Sequence, residues 1–132
     1  MRSIKQALNE QEIVVGLTIQ HICTPWVAKL YADAGADGIK LQLFIADVLC
    51  STQHPGLPDL RKIELSSEEW KEVLLYAKQF SPALLADVFD EQSADLAEEY
   101  VDAYSIHASD LGNPFLLKHV AQKGKPMLLY VG

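Results

Sequence analysis

Ala34-Gly35 leads into ADGIKLQLFI, residues Ala36 to Ile45, and the fold turns on how this stretch is read. Gly35 marks the stop of a helix. Ile39, Leu41 and Leu43 then alternate with Lys40 and Gln42, the period of two that a strand imposes. Lys40 and Gln42 therefore share one face. Helical segments on either side imply a parallel sheet covered by helices, where a lysine turned to an enclosed face needs a partner or a ligand.

Upstream, Ile13 to Ile19 (IVVGLTI) is β-branched and nearly all apolar, as expected of a strand buried on both faces. Thr24-Pro25 has the form of a helix start, and Trp26, Val27, Leu30 and Tyr31 recur at helical spacing up to Gly35. Downstream, Ala46 to Leu65 contains Pro55-Gly56 and Pro58-Asp59 and reads as a long loop over one end of the sheet. Ser66 and Glu69 form a capping box for a helix from about Ser67 to Phe80. Strand three is expected at Ala83 to Val88. Asp90 then caps a helix from Glu91 to about Tyr100, Ala103 to Ile106 is strand four, and Asn113-Pro114 opens a helix that Gly124 ends. Pro126 to Val131 (PMLLYV) is a fifth strand.

Two architectures fit this order. A flavodoxin-like open sheet has the right strand number but normally closes with a helix over its last strand, and none follows here. The preferred reading is α/β, an incomplete (β/α) TIM-type barrel whose first five parallel strands carry four helices. At 132 residues the chain is a single domain over 1–132, with 1–12 as a polar leader, and falls short of a complete barrel of roughly 250 residues.

Eighteen acidic residues against eleven basic ones give a formal net charge of -7, which argues against nucleic acid as a partner because no basic run supplies phosphate contacts. No apolar signal core is present and no apolar run approaches the roughly 18 residues of a membrane span, so a cytoplasmic protein without membrane contact is expected. Cys23 and Cys50 have no pairing pattern.

In either architecture ligands bind at the carboxyl ends of the parallel strands. Those ends hold Gln20 and His21, Lys40 and Gln42, Asp87 and Asp90, and Ser105, His107, Ser109 and Asp110. Asp90 and Asn113 are expected to act as helix caps, whereas Asp87 has no such duty. Lys40 would meet either a ligand anion or a neighbouring aspartate. The four histidines lack the spacing of a metal motif, although His21 and His107 could meet across a barrel mouth and bind a divalent metal with Asp87 or Asp110. Glycine-rich phosphate loops and nucleophile elbows are absent from the sequence.

The stretch AGADGIKLQLFIAD resembles the AGAD-x-x-K-x-Q-x-F-x-A-D signature of the sialic acid synthase (N-acetylneuraminate synthase) family. ELSSEEWKEVLLYAK resembles that family's helix after the long loop, ADVFDEQSADL its S-T-P-F-D-E-x-S strand and turn, and AYSIHASDLGNPFLLKHVAQKGKP its K-I-A-S-G-D-L stretch and following helix. The resemblance runs from about Ile13 to Gly132 and implies the N-terminal half of a catalytic barrel. Family enzymes condense phosphoenolpyruvate with an N-acetylated hexosamine such as N-acetylmannosamine, yielding a nonulosonic acid and phosphate. A divalent metal, manganese or magnesium, is implied for the complete enzyme, and none of its ligands is evident in this chain. The resemblance makes Lys40 and Gln42 the catalytic, substrate-contacting pair, with Phe89, Asp90, Asp110 and His21 as further substrate-binding positions.

The chain also departs from the pattern. Gly16 stands at the family's strand-one glutamate, Ser105 at its strand-four lysine and Ala108 at the following serine, while Tyr130-Val131-Gly132 replaces S-T-G. This chain alone is therefore expected to be inactive. The rival readings are a non-catalytic binding or interaction module on the same scaffold and a flavodoxin-like regulatory domain. Two further expectations follow. Open strand edges should drive self-association. Lys40 and Gln42 should hold a phosphorylated carboxylate weakly if Asp87 points away, and serve a structural role if Asp87 takes the lysine's charge.

Overall fold

The computed structural model describes residues 16–19, 29–30, 32–80 and 83–131. Gln20, His21, Cys23, the Thr24-Pro25 helix start, residues 1–15 and Gly132 lie outside the described residues. For β1 only the backbone is described.

Five strands form one parallel sheet: β1 (Gly16–Ile19), β2 (Gly38–Leu43), β3 (Leu84–Val88), β4 (Ala103–Ile106) and β5 (Met127–Leu129). They pair strictly in chain order, so every neighbour in space is also the neighbour in sequence. After β2 the helices are α1 (Ala46–Leu49), α2 (Leu57–Ile63), α3 (Ser67–Phe80), α4 (Glu91–Ala97) and α5 (Pro114–Ala121).

One face of the sheet carries the main core. Ile39, Leu41 and Leu43 of β2 pack with Trp70 and Leu74 of α3, Ala94 of α4 and Leu116 of α5 in a single buried cluster. Each large apolar side chain removed from water there contributes roughly 1.5–3 kcal/mol. Tyr104 lies in the same cluster, and its hydroxyl donates to the Ala94 carbonyl at 2.7 Å. Burial pushes its phenol up to about 12. The opposite face holds a smaller cluster of Ala83, Leu85 and Ala103, with Leu128 packed on it. Sequential order with α3, α4 and α5 on one face is the arrangement of successive (β/α) barrel units, whereas a doubly wound sheet reverses its strand order and covers both faces. The partial-barrel expectation therefore stands over the flavodoxin-like one.

Local chemistry fixes the element ends. Gly35 and Gly124 adopt positive φ (87° and 71°), the left-handed conformation that a helix exit favours and that side chains resist. The capping box forms, with Ser66 N donating to Glu69 Oε2 at 2.7 Å and Glu69 N to Ser66 Oγ at 3.3 Å. Ser66 N and Ser66 Oγ both donate to the Glu69 carboxyl and hold it below its usual range. At the far end of α4, Lys78 and Lys125 donate to the carbonyls of Glu99 and Glu98, where cations complement the helix dipole.

The expected long loop is corrected by α1 and α2, which raise the helix count above the four expected. Pro58 at the second position of α2, Asp59 in its first turn and Arg61 and Lys62 in its last are all favourable to a short helix. Arg61 pairs with Asp47 of α1. Phe44, Ala46 and Leu57 form a third buried cluster, so the turn-rich sequence is held by its own small core. Two further boundaries are shorter than expected: α4 stops at Ala97 and β5 spans only Met127–Leu129.

Candidate functional site

Alternation along β2 puts Ile39, Leu41 and Leu43 into the helix-covered core and turns Lys40 and Gln42 to the inner face. Gly38 precedes them where the sheet closes up, since a Cβ there would stand 3.2 Å from Leu85 Cδ1. The register then aligns Gln42 with Asp87 and Asp87 with Ser105, one row across three strands. Asp87 is the centre of that row. It is fully buried, accepts from Gln42 Nε2 on Oδ2 and from Ser105 Oγ on Oδ1, both at 3.1 Å, and lies 3.4 Å from Lys40 Nζ.

Lys40 reaches this row from one position below. Its ammonium also donates to the Tyr130 hydroxyl at 2.6 Å and stands 4.4 Å from the centre of that ring. Lys40, Gln42, Asp87, His107, Ala108, Tyr130 and Val131 line a cavity of about 530 Å³. Asp87 thus takes the charge of Lys40, and the arrangement answers the alternative left open by the sequence in favour of an internal ion pair.

Of the other expected site residues that are described, His107 lies on this cavity wall and Phe89, Asp90 and Asp110 do not. Asp90 caps α4, with Oδ1 accepting from Ser93 N at 2.6 Å and Oδ2 from Ser93 Oγ at 2.8 Å. Asn113 likewise caps α5 through Leu116 N. Asp110 sits in a short 3-10 turn (Ala108–Asp110), facing Ser109 Oγ and Asn113 Nδ2. Phe89 packs beside the His107 ring, 6.0 Å between centres, at the margin of the third cluster. His21 is outside the described residues. His107 Nδ1 is 3.3 Å from Ser109 Oγ, and among the described residues no group of three or more histidine, cysteine or acidic side chains could hold a metal ion. The metal implied by the resemblance therefore has no fitting ligand set among them.

The sequence places Asp87 and Ser105 at the strand ends, offers Asp87 as a partner for Lys40 and marks Tyr130 only as a departure from S-T-G, but it assigns none of the three to the site. In the quoted patterns Asp87 stands at the threonine of S-T-P-F-D-E-x-S and Ser105 at the lysine of K-I-A-S-G-D-L. PMLLYV is almost wholly apolar, which hides its alternation. Met127 packs on the helix-covered cluster and Leu128 on the inner one, so Tyr130 follows Leu128 to the inner face.

Parallel strands in sequential order, with polar side chains gathered around one inner-face cavity, place this molecule in the (β/α)-barrel class. Residues 27–132 match the NeuB family, and the chain belongs to it. It is 30% identical to N,N'-diacetyllegionaminic acid synthase of Campylobacter jejuni over 79% of this chain and 36% of that protein. Identity to the spore coat polysaccharide biosynthesis protein SpsE of Bacillus subtilis is 31%, over 74% of this chain and 29% of that one. The crystal structure of N-acetylneuraminic acid synthetase from Leptospira borgpetersenii superposes with a TM-score of 0.77 at 19% identity, covering 87% of this chain and 42% of that one. The crystal structure of the Bacillus subtilis protein superposes at 0.65 with 28% identity, covering 87% and 34%. The chain spans about a third of the length of the curated relatives it matches. No helix among the described residues is long and apolar enough to cross a membrane.

Proposed function

We propose that this chain is a divergent sugar-acid-synthase-like protein that keeps the family's inner-face cavity as a ligand pocket and does not by itself carry out the family's condensation. The reaction suggested by the resemblance joins phosphoenolpyruvate to an N-acetylated hexosamine. Such a site needs several positive groups around a phosphate and a carboxylate. One observation carries the proposal: among the described residues Lys40 is the single lysine on the cavity wall, and the strand-four position where the family pattern has a second is Ser105. A hydroxyl cannot share that charge.

The residues that remain do what a binding wall does. Gln42 is positioned by Asp87, Lys40 is held between Asp87 and Tyr130, and the His107 and Tyr130 rings, 6.2 Å apart between centres, border the opening. Metal chemistry enters no step here, because no ligand set among the described residues fits a metal. The convergence of Lys40 and Gln42 on one cavity favours a second reading, in which the same two side chains contact substrates within a larger catalytic barrel. Incubating the 132-residue chain with phosphoenolpyruvate, N-acetylmannosamine and manganese, and following phosphate release, tests the first reading. No release above the protein-free rate is expected. Turnover that Lys40→Ala abolishes would replace it with the second.

A further inference from the structure

We propose that Asp87 sets the charge of the ligand this cavity accepts: it is a built-in counter-anion for Lys40 that closes the cavity to phosphorylated carboxylates, and removing its charge opens the cavity to them. This deepens the preceding reading and rests on it.

Asp87 has no exposed surface, so protein donors must replace the hydration of its carboxylate. Gln42 Nε2 and Ser105 Oγ supply two hydrogen bonds and the Lys40 ammonium supplies the charge. Among the described residues no buried side-chain nitrogen or oxygen lacks a partner, so this inner wall is satisfied without a ligand. A phosphate or carboxylate entering the cavity has two routes to Lys40. It can bind beside Asp87, which sets like charges within a few ångströms of each other in a partly enclosed space. Alternatively it can draw Lys40 away, which leaves a fully buried carboxylate without its cation. Both routes oppose anion binding, and neither burdens an uncharged, hydroxylated ligand. The Tyr130 hydroxyl takes up a further donor of Lys40 at 2.6 Å, so the ammonium is engaged on two sides.

Asp87→Asn tests this with little change of shape, since the amide can still meet Gln42 and Ser105 while losing its charge. Phosphoenolpyruvate and inorganic phosphate are titrated calorimetrically at low salt into the full chain, into Asp87→Asn and into Asp87→Asn with Lys40→Met. The parent is expected to show no saturable binding up to about 10 mM, Asp87→Asn to bind at least about tenfold more tightly than that limit, and the double variant to lose the gain. Saturable binding of phosphoenolpyruvate to the parent below about 1 mM overturns the proposal, as does a folded Asp87→Asn that gains nothing or a double variant that keeps the gain. Asp87→Thr, whose β-branched side chain suits a strand, replaces Asp87→Asn if the latter does not fold, and the parent titration decides if neither does. The outcomes separate from those of the functional reading, because turnover by the parent overturns that reading, whereas an inactive parent with a silent Asp87→Asn overturns this proposal alone.

Discussion

Lys40 donates to the Tyr130 hydroxyl at 2.6 Å although ninety positions of chain separate the two. The contact ties the middle of β2 to the exit of β5 across two intervening strands, and it does so from the inner face. Tyr130→Phe keeps the ring beside the ammonium and removes only the acceptor. Because Tyr130 is 44% exposed and Lys40 retains Asp87, the loss falls near the lower end of roughly 0.5–1.5 kcal/mol. Urea unfolding measures it, and a loss above about 2 kcal/mol would mean that β5 depends on this bond more than its geometry implies.

A second test concerns the outer surface, where Asp95 of α4 meets Lys123 at 2.5 Å and His119 of α5 at 2.7 Å. The hydrogen bond from Lys123, then that from His119, holds the Asp95 carboxyl below its usual range. A depressed folded-state value stabilises the fold above the unfolded carboxylate pKa, near 3.9, and that contribution is lost as pH falls through the lower folded value. Asp95 is largely exposed, so solvent screening limits the effect to about 1 kcal/mol. Asp95→Asn is therefore expected to be less stable than the parent at pH 7 and equal to it at pH 2. A difference that persists unchanged to pH 2 contradicts the assignment to charge.

The strand order leaves β1 and β5 at the ends of the sheet. Beside the β5 edge Leu129 and Val131 are exposed, and an uncharged apolar edge with free backbone groups is a template for pairing. The 132-residue chain is expected to sediment as dimers or larger species at about tens of micromolar, with Leu129→Lys shifting it toward monomer. A compact parent monomer under those conditions contradicts the role given to this edge.

Much of this fold was legible before any coordinates, because the signals involved are local. Alternation in GIKLQL turned Lys40 and Gln42 inward, the Ser66 and Glu69 box opened α3, and Asp90 and Asn113 each preceded a helix that they cap. The two helices between Ala46 and Ile63 were missed because proline and glycine there read as turn signals, while the residues that hold them, Phe44 and Phe89 among them, lie on strand exits. The sequence offers Asp87 as a partner for Lys40, but not the row it forms with Gln42 and Ser105. Asp87 meets Gln42 and Ser105 only through the register of three strands, and register depends on cross-strand packing rather than on the order of residues within one strand. Tyr130 was masked by apolar neighbours on both sides of a short strand.

The claim on which the account rests is that Asp87 carries the charge of Lys40, and a double-mutant cycle in unfolding free energy tests it most directly. Lys40→Met leaves a fully buried carboxylate uncompensated and is expected to cost about 3–5 kcal/mol. Asp87→Asn costs less, because the freed ammonium lies on the cavity wall and can reach water. Removing both charges together should recover part of the loss, giving a coupling of about 1–3 kcal/mol between the two positions. Single-variant effects that add to within about 0.5 kcal/mol would contradict the internal pair, and with it the reading of the cavity as closed to anions.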